Sequence, residues 1–86
     1  MIKIWAKILK DNKIIKQTVY QKNESMDYAE FLNHIIDICY ELDIPTPVII
    51  KNHIFNYAKY NTVRFTKSDF VDSVDFDKFV IENINR

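Results

Sequence analysis

Apolar and polar residues alternate from the first positions of the chain. Ile2, Ile4, Ala6 and Ile8 recur at every second residue, with Lys3, Trp5 and Lys7 between them. A strand points successive side chains to opposite faces, so the alternation predicts a half-buried strand over Ile2–Lys10. Ile14–Gln21 reads as its antiparallel partner. Asp11 and Asn12 join the two, because both tolerate the left-handed backbone that a two-residue hairpin turn requires. A regular ladder from that turn pairs Lys10 with Lys13, Ile8 with Ile15 and Ile4 with Val19. One face then carries Ile2, Ile4, Ala6, Ile8, Ile15 and Val19 and is expected in a core. The other carries Lys3, Trp5, Lys7, Lys16, Thr18 and Tyr20 and is expected outside. A slip of one residue would exchange the faces, so the pattern specifies the register.

The period then changes. Tyr28, Phe31, Leu32, Ile35, Ile38, Cys39 and Leu42 follow the spacing of a helix with one apolar stripe, predicting a helix over Met26–Asp43. Ser25 is its expected N-cap, and Asp27 and Glu30 suit the positive end of its dipole. Pro45 ends it, since the residue before a proline avoids the α region. Thr46 and Pro47 form a cap-and-first-turn pair, predicting a short helix through about Tyr57. Val48-Ile49-Ile50 read as a short strand is the alternative. Thr62–Thr66 predicts a strand with Val63 and Phe65 on one side. Thr66 and Asp69 form a capping-box pattern, predicting a helical turn at 67–72. Val80-Ile81 and the alternation of Phe79 with Ile81 favour a strand at the end, although Phe76, Phe79, Val80, Asn83 and Ile84 also fit a helix. The sum is one α+β domain over residues 1–86. It is a small antiparallel sheet beginning with an N-terminal β-hairpin, with one long amphipathic helix packed on one face and a short second helix.

Composition narrows the function classes. Glycine is absent from all 86 residues, which excludes the glycine-rich phosphate loops and the glycine-flanked nucleophile elbow. Turns must then fall to Asn and Asp, with Asn12, Asn23 and Asn61 at the expected places. The formal net charge is zero, arguing against a duplex-coating protein. The charge is nevertheless uneven: six lysines against Asp11 within residues 1–22, and five acids against Lys78 and Arg86 within residues 69–86. The simplest expectation is attraction between the two ends inside one fold. Head-to-tail contact between copies is the alternative. A lone cysteine, no signal peptide and no long apolar run lead us to expect a cytoplasmic protein that does not enter a membrane.

Leu42-Asp43-Ile44-Pro45-Thr46-Pro47-Val48, then Lys51-Asn52-His53, Phe65, Asp69-Phe70-Val71 and Val74-Asp75-Phe76-Asp77 carry a resemblance. Together they resemble a group of short proteins of Gram-positive anaerobic bacteria, in which a hairpin and helix precede an Asp-Ile-Pro-x-Pro turn and an acidic Phe-Asp ending. The resemblance implies no activity, cofactor, partner or site residue.

The candidate partner-binding residues are Lys3, Trp5, Lys7, Lys16 and Tyr20, the outer hairpin face. There Lys3 is expected across from Tyr20, and Lys7 across from Lys16. Cations beside a flat aromatic suit an acidic protein partner or single-stranded nucleic acid. Asp69, Asp72, Asp75 and Asp77 invite a cation, but the glycine and terminal glutamate of a calcium loop are missing, so no metal is expected. His34 and Asp37 are one helical turn apart and His53 stands alone; neither has further ligands or a nucleophile at a useful spacing. Cys39 lies on the apolar stripe and reads as a small buried hydrophobe. Ser25, Ser68 and Ser73 fall where caps and turns explain them. Phe55, Tyr57, Phe65, Phe70, Phe76 and Phe79 read as core. The expected function is a small non-enzymatic protein-binding or accessory module without a cofactor, monomeric or homodimeric, with its protein partner unidentified. Single-stranded nucleic-acid binding through Trp5 and its lysines is the alternative.

Overall fold

A computed structural model of the chain describes residues 1–23, 27 and 30–85. Its sheet contains four strands: β1 (Ile2–Lys10), β2 (Lys13–Lys22), β3 (Thr62–Thr66) and β4 (Lys78–Asn83). They lie in the order β2-β1-β4-β3, and every neighbouring pair is antiparallel. Helices α1 (Phe31–Leu42) and α2 (Lys51–Tyr60) pack on one face, α1 over β2 and α2 over β3. The α+β class, the opening hairpin and the final strand are therefore as the residue pattern predicted. The first and last strands are the two central ones. Ile84 N–H donates to the Lys3 carbonyl (3.0 Å) just beyond their ladder.

The core lies between the sheet and the helices. β1 contributes Ile4, Ala6 and Ile8, β4 contributes Phe79 and Ile81, and β3 contributes Val63 and Phe65. Phe31, Ile35, Ile38, Cys39 and Leu42 close over them from α1, as the helical stripe predicted except for Leu32, which is about half exposed, with Tyr57 from α2. The Phe65 and Phe79 rings stack at 5.5 Å across the β3–β4 pair. Burying one such side chain stabilises the fold by about 1.5–3 kcal/mol. Phe70 and Phe76 seal the end nearest the hairpin turn, ring edge to ring face at 5.4 Å. Phe55 is not in the core. His53 and Tyr57, one turn apart, take the buried side of α2, and Phe55 between them points away, 59% exposed.

Asp and Asn replace glycine at each left-handed position among the described residues: Asp11, Asn12, Asp43 and Asn61. Asp11 and Asn12 form the hairpin turn. Asp43 ends α1: its N–H donates to Tyr40 O (3.2 Å) and the Ile44 N–H to Cys39 O (3.0 Å), a Schellman closure. Asn61 ends α2, its N–H donating to Tyr57 O (2.9 Å). Asn23 lies in a bend without the positive φ.

Two expected boundaries move, and a third lies outside the described residues. The helix start at Met26, the Ser25 cap and Tyr28 lie outside the described residues. Thr46-Pro47 does not open a helix, and Val48–Ile50 is not a strand; residues 44–50 run without regular structure to α2. Pro47 is buried there, and the Val48 N–H donates to Asp69 O (2.7 Å), which holds the segment extended. The turn after β3 is a 3-10 helix of Lys67–Asp69 only, with the expected capping bond from Thr66 N–H to Asp69 Oδ2 (2.8 Å).

The hairpin register also departs from the regular ladder. Lys10 pairs with Lys13 and Leu9 with Ile14, but Ile8 pairs with Lys16, so Ile15 is an extra residue in a β-bulge. Beyond it every residue of β2 changes face. Ile4 faces Tyr20, Lys3 faces Gln21 and Lys7 faces Gln17. Tyr20 is therefore buried, and Ile15 and Val19, expected in the core, are about half exposed. Tertiary contacts account for the bulge. It lets the Tyr20 hydroxyl donate to Asp37 Oδ2 (3.0 Å) and meet His34 Nδ1 (3.1 Å). It also brings Lys16 Nζ to the carbonyl of Leu42 (3.1 Å), at the negative end of α1.

Candidate binding face

Both helices cover the same face of the sheet. The opposite face is open, and the register defines its rows. Gln17, Lys7, Val80 and Arg64 lie across the four strands. On one side of that row run Val19, Trp5, Glu82 and Thr62. On the other run Ile14, Leu9, Lys78 and Thr66. Antiparallel sheets commonly leave one face to solvent, but such a face is usually polar. Here apolar Leu9, Ile14, Val19 and Val80 and the indole of Trp5 alternate with cations Lys3, Lys7, Arg64 and Lys78. Glu82 is the one carboxylate these rows contain.

Lys3, Trp5 and Lys7 stand together on this face as expected. Lys16 and Tyr20 do not; the bulge turns both toward α1. The indole Nε1–H of Trp5 donates to Gln17 Oε1 (2.9 Å), so the half-buried ring is held against the neighbouring strand. Lys7 Nζ lies 3.9 Å from the indole centroid, a cation–π contact, and 3.8 Å from Glu82 Oε1. The lysine stem thus crosses apolar surface while its ammonium bridges an aromatic and a carboxylate. Lys7 does not stand across from Lys16 as expected, since it pairs with Gln17 and the two lysines occupy opposite faces.

Arg64, Lys78, Val80 and Leu9 were not among the candidate partner-binding residues. Their signal was present in the alternations Thr62/Arg64/Thr66 and Lys78/Val80/Glu82 beside the buried residues. What was missing was the strand order, which sets them next to Lys7. They line a groove of about 870 Å³ that runs from Leu9 and Val80 across β3 to Asn56 and Tyr60 of α2. A second, smaller cleft of about 240 Å³ sits at the hairpin end of the helix side, between Ile15, Lys16, Pro45 and Asp75.

The other titratable candidates serve the fold. Tyr20 has a single hydroxyl proton, which goes to Asp37, so His34 Nδ1–H is the donor in the His34–Tyr20 bond. His34 and Asp37 are thereby linked through a tyrosine rather than directly. Lys22 Nζ approaches the same carboxylate at 3.7 Å. His53 Nδ1 accepts the Ile50 N–H (3.1 Å) at the start of α2, which leaves the ring proton on Nε2, 3.6 Å from Asp69 Oδ1. Phe65 packs against the His53 ring at 4.5 Å. Burial pushes the Cys39 thiol from its ordinary 9.0 up to about 12, with a smaller opposing effect from a hydrogen bond with Thr46.

The acidic segment divides among several tasks. Asp69 caps the turn after β3. Asp77 accepts the Asp11 N–H at 2.8 Å and lies 3.9 Å from Lys67 Nζ, tying the segment to the hairpin turn. Asp75 lines the small cleft and Asp72 is exposed. Among the described residues no group of three or more His, Cys, Asp or Glu stands close enough to hold a metal ion. No described helix is long and apolar enough to cross a membrane.

Comparison with known proteins gave no match to a family model, to a curated protein or to a solved structure.

Proposed function

We propose that the chain is a small cytoplasmic binding module without catalytic activity, and that it engages a protein partner through the open face of its sheet. The observation that carries this reading is the composition of that face. Apolar side chains lie among four cations with a single carboxylate, on the side of the sheet that neither helix covers. An apolar centre with a charged rim is the usual anatomy of a protein interface. The commitment of both histidines to hydrogen bonds within the fold supports the same reading.

A photo-crosslinking residue at Val80, introduced in the source cell, tests it. A discrete protein adduct is expected from Val80. It should be absent when the crosslinker stands at Tyr40 on α1, and absent from Val80 when Arg64→Glu reverses the charge of the face. No adduct from Val80 sinks the proposal. Single-stranded nucleic acid is the second reading, favoured by Arg64 joining the lysines and Trp5. Against it, the Lys7 ammonium already lies over the indole, and a strand of bases calls for successive stacking platforms. An RNA or DNA adduct from Val80 would select that reading instead.

A further inference from the structure

We propose that the groove beside β3 binds an extended acidic peptide, which adds to the sheet as a fifth strand. This rests on the reading of the open face as a protein-binding surface and names the partner's chemistry.

The first observation is the free edge. β3 is an end strand, and its backbone directions follow from the ladder. Asn83 N–H donates to Asn61 O (2.7 Å), so the paired residues Val63/Ile81 and Phe65/Phe79 exchange the inter-strand bonds. In an antiparallel pair these alternate, so the N–H and C=O groups of Thr62 and Arg64 point away from β4. The Thr66 N–H, in the same phase, does point outward and is taken by Asp69 Oδ2. Among the described residues nothing pairs with the outward backbone groups of Thr62 and Arg64. They form a two-residue template for strand addition.

The second observation is charge. Arg64 and Lys78 flank the groove, and among the described residues no carboxylate lines it. Of the nearby acids, Asp69 is turned into the Thr66 cap, Asp77 accepts the Asp11 N–H, and Glu82, across from Thr62, lies 3.8 Å from Lys7 Nζ. The third is the floor. On the helix side of β3, Tyr60 and Val63 offer apolar surface where alternate side chains of an added strand would rest, opposite the face of Arg64 and Lys78, while Asn56 offers hydrogen bonds at the rim. A peptide alternating small apolar residues with Asp or Glu would meet all three: backbone to the β3 edge, apolar side chains to the floor, carboxylates to Arg64 and Lys78.

The test is a titration of the 15N-labelled protein with acetyl-Val-Asp-Val-Asp-Val-amide. The Thr62 and Arg64 amides are expected to shift and to gain protection from hydrogen exchange. Arg64→Glu, at an exposed position, should leave the melting temperature unchanged and weaken binding at least about tenfold. A peptide with Lys for Asp should not bind, and one N-methylated at alternate amides should lose its affinity. Shifts on the outer edge of β2, indifference to N-methylation, or no binding up to about 1 mM would overturn the proposal. So would a dimer, seen by light scattering and abolished by Arg64→Glu, since a second copy would then be the occupant. If the peptide fails while Val80 still crosslinks to a protein, the β3 site falls and the open-face reading stands.

Discussion

Removing the hydroxyl oxygen of Tyr20, and separately trimming the isopropyl side chain of Val19 to a methyl, distinguishes the bulged hairpin from a regular one. In the structure the Tyr20 hydroxyl is buried between His34 and Asp37, at 3.1 and 3.0 Å. Tyr20→Phe takes the acceptor from the His34 Nδ1–H and a donor from Asp37. Leaving buried polar groups without such partners costs about 1–3 kcal/mol. For a domain of this size each kcal/mol lowers Tm by roughly 4–8 °C, so a fall of roughly 5–20 °C is expected. Val19 is 51% exposed, so Val19→Ala should stay within about 0.5 kcal/mol. In a regular ladder the roles reverse: Val19 would be in the core and cost about 2 kcal/mol, while the tyrosine would be outside and its hydroxyl dispensable. Deleting Ile15 sharpens the contrast. It removes the extra residue and leaves every other pair of the bulged hairpin in place, so the protein should fold. In the regular register the same deletion would turn residues 16–22 to the wrong face. The assay is urea unfolding followed by Trp5 fluorescence, requiring similar m-values across variants so that midpoints report stability. A silent Tyr20→Phe together with a costly Val19→Ala or an unfolded Ile15 deletion would refute the register, and with it the placement of Tyr20 and Lys16 against α1.

The remaining predictions concern the turns and the core. Asp77→Ala frees the Asp11 N–H and the Lys67 ammonium and should cost about 1–2 kcal/mol, read as a lower urea midpoint. Asn61→Val places a β-branched residue at φ 61° and should destabilise by about 1–2 kcal/mol, whereas Asn61→Gly should fold normally; thermal melts compare them. Cys39 should resist a thiol reagent in the native state and react on unfolding. Its folded pKa of about 12 lies above the ordinary 9.0, so the native state holds the proton more tightly. The associated stability is fully present below pH 9 and is lost toward pH 12, at up to about 1.4 kcal/mol per pH unit. Unfolding free energies of wild type and Cys39→Ala at pH 8 and pH 10.5 should converge by that effect.

Short-range pattern was enough for most elements. The alternation Ile2/Ile4/Ala6/Ile8 and the stripe Phe31/Ile35/Ile38/Leu42 repeat over enough residues that only one face of each can be buried. Asp11, Asn12 and Asn61 marked turns because few other side chains tolerate a left-handed backbone. The capping pattern at Thr66 and Asp69 is satisfied within four residues. Each of these is local chemistry, legible without knowing what lies across the fold.

The binding face was only partly legible. Lys3, Trp5 and Lys7 follow from one strand's period, but their neighbours Arg64, Lys78, Val80 and Glu82 lie more than fifty residues away in the chain. Only the strand order β2-β1-β4-β3 brings them together. The fate of β2 was likewise decided from outside it. Its own apolar residues, Ile15 and Val19, favoured a regular ladder. The hydrogen bonds offered to Tyr20 by His34 and Asp37, and to Lys16 by the last carbonyl of α1, are available only when Ile15 bulges. Patterning fixes which face of an isolated strand is greasier. Where buried polar groups must find partners on another element, the packed structure chooses the register.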